Sequence, residues 1–129
     1  MFTADQLVAH AIGDYVIQSD WMAREKTRRT MAAVLHAISY AAPFALLMPR
    51  PSLWAMLVII VTHAAIDRWR LARYLIHAKE VLFGDRRWGA EIPVLGYDSE
   101  KPAWMAVGLF IVADNVLHIV INAAALRWL

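Results

Sequence analysis

The sequence predicts an all-α fold: an integral membrane bundle of four helices. Three observations carry this. Hydrophobic residues make up 60% of the 129-residue chain and charged residues only 19%, with a positive mean hydropathy. A soluble domain averages about 45–50% apolar and about 25% charged. The apolar residues fall into four long segments separated by proline or basic stretches. Six Trp and four Tyr suit a chain whose rings sit at membrane interfaces. A soluble bundle with an apolar core is the alternative, and uncharged runs this long argue against it.

The elements follow in order within one domain, 1–129. The first helix, about 3–20, belongs to the apolar segment Phe2 to Gln18. Thr3 with Gln6 three residues on fits a capping box. A span needs about 20 residues, so this helix is short and suits a spanning, re-entrant or interfacial position. The second, about 30–48, holds an uncharged run from Met31 to Met48. The stretch Pro49-Arg50-Pro51-Ser52 then forces a break, because proline cannot continue a helix and restricts the residue before it. Ser52 is the expected N-cap of the third helix, about 52–82. It opens on LWAMLVII and turns basic after Asp67. The cytoplasmic loop, about 84–101, is rich in glycine and mixed charge. Pro102 sits where a first helical turn accepts it, opening the fourth helix, about 102–128.

Basic residues set orientation. Arg24, Lys26, Arg28 and Arg29 fill the first connection, and Arg68, Arg70, Arg73, Lys79, Arg86, Arg87 and Lys101 the third region. The second connection holds only Arg50. The first and third connections are therefore expected in the cytoplasm. The expected location is the bacterial inner membrane, multi-pass, with membrane lipid as a partner and a homo-oligomer allowed. A net charge of +2 gives no reason to expect nucleic acid. Cysteine is absent, which excludes disulfides and thiolate metal sites. No cleavable signal peptide is visible, since the first residues lack a basic start.

Three of the five histidines have an aspartate four positions away: His10–Asp14, His63–Asp67 and Asp114–His118. Shuffled versions of this composition would show that about 1% of the time, so the spacing asks for a cause. Residues i and i+4 share a helix face, which puts an imidazole and a carboxylate in one pocket. The order inverts in the last pair. Under the topology above the last helix runs antiparallel to the first and third, so the spatial order is the same in all three. Each aspartate then lies about 6 Å, one turn, nearer the cytoplasm than its histidine. His36 and Tyr40 give the second helix a polar face.

The expected ligands are His10, Asp14, His36, His63, Asp67, Asp114 and His118, with Asp14, Asp67 and Asp114 as the catalytic carboxylates. Seven groups exceed the needs of one ion and suit two. Such N/O donors fit one or two divalent transition ions, zinc first and manganese or iron next, rather than magnesium or calcium. Gln18, Tyr40, Asn115 and Asn122 are expected to orient ligands. Lys26, Arg68 and Arg70 are expected to meet an anionic group at the cytoplasmic mouth, or lipid phosphates. For any single residue the alternative is a packed, hydrogen-bonded histidine, a polar clasp or a proton relay.

The stretches HAIGDYVIQSDWMAREK (10–26), LHAISY (35–40), THAAID (62–67) and ADNVLHIVIN (113–122) resemble a family of small phage and bacterial membrane proteins of unknown function. His10, Gly13, Asp14, Gln18, Trp21 and Lys26 match its first motif, His36 its second, His63 and Asp67 its third, Asp114 and His118 its fourth. That family is similar in turn to the YdjM-like proteins, described as membrane-bound metal-dependent hydrolases. What the resemblance implies is a membrane metal hydrolase, often encoded by phages.

The expected function is hydrolysis at a dinuclear His/Asp site that activates water against a phosphoester, a lipid head group or a nucleotide. One alternative is a phage-type membrane factor, acting in superinfection exclusion or against host defence, with a structural metal. Another is a proton or ion pathway, for which the outer halves of the helices offer few polar residues.

Overall fold

The computed structural model describes residues 3–129. Phe2, at the head of the first apolar segment, lies outside the described residues. The chain is all-helical, with no strand among the described residues. Its elements are α1 (Ala4–Ala11), a π-helical segment (Ile12–Ile17), α2 (Asp20–Glu25), α3 (Thr30–Leu47), α4 (Leu53–Trp69), α5 (Ala72–Phe83) and α6 (Ala103–Trp128). Two of them, α3 and α6, are long and apolar enough to cross a membrane.

Local signals set several boundaries. The Thr3–Gln6 capping box is formed in both directions, at 3.3 and 3.4 Å. Ser52 Oγ accepts from the Ala55 N–H at 3.0 Å and opens α4. Ser19 caps α2 by accepting from Met22 N–H at 3.3 Å. Two expected helices are interrupted. The helix expected over 3–20 passes into the π-helical segment and ends at Gln18, whose extended backbone separates it from α2. The helix expected over 52–82 divides at Arg70, which has φ +52°. A non-glycine residue in that left-handed region does not propagate an α-helix. Neither Gln18 nor Arg70 is flanked by glycine or proline.

The chain forms two compact units. The first comprises the chain to Trp69 together with His118–Leu129. Its core is Ala9, Tyr40, Ala41, Phe44, Ala55, Ile59 and Ala125. Four of those seven are alanines, and small residues let helix backbones approach closely. Pro43 lies inside α3. It removes the N–H that would bond the Ser39 carbonyl.

The second unit, Arg70–Leu117, packs Ile76, Tyr97 and Ala106 together. Its loop is pinned by Arg86, whose side chain is only 5% exposed. Arg86 donates to the Gly96 carbonyl at 2.9 Å, lies 3.0 Å from His77 Nδ1 and pairs with Asp98. Lys79 and Lys101 both lie over the Tyr97 ring.

Candidate metal centre

The first unit gathers a buried polar cluster from α1, the π-helical segment, α3, α4 and the end of α6. His10, Asp14, His36, His63, Asp67, His118 and Asn122 are all buried. Close approach of the backbone begins it. A Cβ on Gly13 would lie 2.5 Å from the Tyr40 ring and 3.0 Å from its carbonyl oxygen. Only glycine lets the π-helical segment lie so near α3, and the next residue, Asp14, thereby reaches His36. A π-helical turn is rare and occurs often at functional sites. Here Gln18 Nε2 donates to the Asp14 carbonyl at 3.1 Å and closes that turn.

At the centre, His36 Nε2 and His63 Nε2 stand 3.0 Å apart. Asp14 Oδ1 lies 3.2 Å from the first and 3.4 Å from the second. Asp67 Oδ2 lies 3.3 and 3.1 Å from the same two nitrogens. The four donors thus form two triangles sharing the His36–His63 edge. Around an ion with bonds of about 2.0–2.1 Å, tetrahedral ligands stand about 3.3 Å apart. Each triangle has the size of one face of such a tetrahedron. Asp14, His36 and His63 form one group able to hold a metal ion, and His63, Asp67 and His118 a second.

The outer oxygens face different histidines. Asp14 Oδ2 is 3.5 Å from His10 Nδ1, and Asp67 Oδ1 is 3.8 Å from His118 Nε2. His10 Nδ1 also lies 2.8 Å from the Tyr40 hydroxyl, which accepts in turn from Asn122 Nδ2. The Tyr40 ring stacks on His63, and His63 stacks on His118. Hydrogen bonds and stacking of this kind hold imidazoles in fixed orientations. Among the described residues, His36 Nδ1 and His63 Nδ1 make no hydrogen bond. That departs from the usual ligand histidine, whose second nitrogen donates to a neighbour.

Lys26 is deeper than the sequence suggests. Its Nζ lies 3.0 Å from Asp67 Oδ2 and 3.5 Å from His36 Nε2, with the side chain 18% exposed. Lys26 is therefore part of the cluster, where the sequence placed it at a mouth. Arg68 is engaged elsewhere. It donates to the Thr27 carbonyl at 2.8 Å and to Thr30 Oγ1 at 3.4 Å, tying α4 to the α2–α3 connection. Arg70 belongs to the second unit and lies over the Phe110 ring. Asp114 and Asn115 also belong to the second unit and are half-buried.

The chemistry on offer is that of a compact N/O donor set with no sulfur. Buried carboxylates need compensation, because an unpaired charge in low dielectric is costly. Lys26 compensates one of the two.

No curated protein and no solved structure matches this chain. A family model matches residues 2–128, so the chain belongs to the family described as protein of unknown function DUF3307.

Proposed function

We propose that this chain is a membrane-embedded, metal-dependent hydrolase whose His/Asp cluster is a dinuclear centre acting on a phosphoester, a lipid head group or a nucleotide. The single observation that carries this is the convergence of Asp14 Oδ1, His36 Nε2, His63 Nε2 and Asp67 Oδ2 within 3.0–3.4 Å of their neighbours in the set. Zinc is the first choice of ion and manganese or iron the next. A divalent ion bound there supplies a water acidified toward neutrality. The protein's own part is orientation. Tyr40 and Asn122 hold His10, Gln18 closes the turn that carries Asp14, and Lys26 adds positive charge beside Asp67 where an anionic substrate would arrive. Asp114 lies four residues before His118 on α6, and that spacing is its claim to a role. We place the protein in a bacterial inner membrane with the site toward the cytoplasm, on the strength of the basic first and third connections.

The test is hydrolysis by purified protein across phosphomonoesters, phosphodiesters and lipid head groups, before and after chelation and reloading. Turnover that is lost with the ion, restored by reloading, and absent in Asp67→Asn is the expected result. No turnover in a fully loaded, folded protein would contradict it.

One observation favours a second reading. Asn122, Tyr40, His10, Asp14, His36 and His63 form a continuous polar chain with steps of 2.5–3.5 Å. Such chains carry protons in pumps and transporters. Protein-dependent proton flux into liposomes, abolished by Tyr40→Phe and unaffected by chelation, would favour that reading over hydrolysis.

A further inference from the structure

We infer that α5 is an interfacial helix, and that its exposed apolar stripe docks on the lipid surface of an anionic leaflet. This rests on the placement of the chain in a membrane and is independent of the metal reading.

The helix faces the wrong way for water. Apolar residues run along one side of it at helical spacing, from its N-cap Leu71 through Tyr74, Leu75, Ala78 and Leu82. Tyr74, Leu75 and Leu82 are 43, 50 and 61% exposed. Phe83 and Trp88 follow and are exposed as well. A helix on the surface of a soluble domain turns its apolar stripe to the core and its polar side outward. In α5 the polar side is used inside its own unit. His77 Nδ1 lies 3.0 Å from the Arg86 guanidinium, and the Glu80 carbonyl accepts from the Arg86 N–H at 3.3 Å. Gly96, at φ +78°, packs so near that a Cβ there would stand 2.7 Å from the Arg73 carbonyl and 2.8 Å from Ile76. The loop thus covers the side of α5 that carries Arg73, Ile76, His77 and Glu80, while Leu75 and Leu82 stay exposed.

Length decides how the stripe meets lipid. α5 has 12 residues. That is about 18 Å of helix, against a hydrocarbon core of about 30 Å. It is too short to span. Arg70, in the left-handed region, breaks the helix before it, so α5 does not extend α4. A short helix with one apolar face lies in the plane of the interface, with that face about 5–10 Å into the boundary between head groups and acyl chains. An exposed tryptophan at its end suits that depth.

Charge identifies the occupant. From Arg70 to Phe83 the chain carries Arg70, Arg73 and Lys79 against Glu80 alone. Basic residues beside an apolar helical face complement anionic head groups. A second copy of the chain would instead set the same cations against each other.

The test uses the full chain, which has no cysteine, so each single-cysteine variant takes one nitroxide label. Leu75→Cys and Leu82→Cys report the stripe, Val112→Cys the exposed side of α6, and Glu91→Cys the loop. The variants are reconstituted in phosphatidylcholine vesicles with and without phosphatidylglycerol. Electron paramagnetic resonance measures each label's accessibility to oxygen, which concentrates in lipid, and to a water-soluble nickel chelate. The oxygen-to-nickel ratio at the two stripe positions is expected to stand several-fold above that at Glu91→Cys and below that at Val112→Cys. It is expected to rise when phosphatidylglycerol is added.

Full nickel access at both stripe positions, with the Val112→Cys label in lipid, would overturn the interfacial helix and leave the membrane placement standing. Nickel access at Val112→Cys as well would overturn both. Exclusion of both reagents from the stripe, with dipolar broadening between labels, would assign it to a second copy of the chain and overturn the lipid. A ratio indifferent to phosphatidylglycerol would overturn the anionic leaflet. The two stripe labels report independently, so one misfolded variant leaves the other to decide.

Discussion

Gly13 and Tyr40 are in such close contact that a Cβ on the glycine would lie 2.5 Å from the tyrosine ring. That contact sets the distance between the π-helical segment and α3, and through it the meeting of Asp14 with His36 at 3.2 Å. Gly13→Ala is expected to destabilise the protein by about 1–3 kcal/mol, the usual cost of overpacking, and to weaken metal binding. Helix propensity alone predicts the opposite, a gain of about 0.5–1 kcal/mol. Thermal unfolding in detergent reads the sign.

Tyr40 does more than pack. Its hydroxyl is shared by His10 Nδ1 and Asn122 Nδ2, both buried. Tyr40→Phe keeps the ring against Gly13 and removes only that oxygen. Leaving buried polar groups without it costs about 1–3 kcal/mol, which chemical denaturation measures.

Lys26 places an ammonium 3.0 Å from a proposed ligand oxygen of Asp67. An incoming divalent ion meets that like charge. Lys26→Met is expected to tighten metal binding by about tenfold, since charges a few ångströms apart interact by several kcal/mol even at an effective dielectric near 20 and the flexible side chain can withdraw. Isothermal titration with zinc checks this. Weaker binding in Lys26→Met would show that the lysine serves to orient Asp67.

Ligands must be deprotonated to bind. Metal uptake by a set rich in imidazole should release protons, so apparent affinity should rise with pH and fall as the solution is acidified. Zinc titrations in buffers of different ionisation enthalpy measure the protons released. Affinity independent of pH would argue against imidazole ligands.

The polar faces were legible because helical spacing is a local property. His10 with Asp14, His63 with Asp67, and His36 with Tyr40 are written as i and i+4. Their placement in one cluster is helped by small residues at the helix contacts, Ala9, Ala41, Ala55 and Ala125 among them. The π-helical segment was not legible, since one extra residue in a turn leaves no mark in IGDYVI. The left-handed backbone at Arg70 was hidden too, in a residue type that rarely adopts it. Lys26 reaches Asp67 because a long flexible side chain extends inward from a basic connection, a depth that charge counting does not read.

In the second unit, Arg86 joins His77, the Gly96 carbonyl and Asp98. Arg86→Ala is expected to free the loop, with a loss of about 1–3 kcal/mol from the part-buried contacts to the Gly96 carbonyl and His77, the pair with exposed Asp98 adding little. Faster amide exchange over residues 84–101 would be the readout.

The central claim is that the buried histidines and aspartates bind metal directly. X-ray absorption at the zinc edge of the loaded protein tests it most closely. The expected spectrum has a first shell of nitrogen and oxygen at about 2.0–2.1 Å, outer-shell scattering from at least two imidazoles, and both features lost in a His36→Ala, His63→Ala double variant. A shell of water oxygens alone, or a spectrum unchanged in that variant, would contradict it.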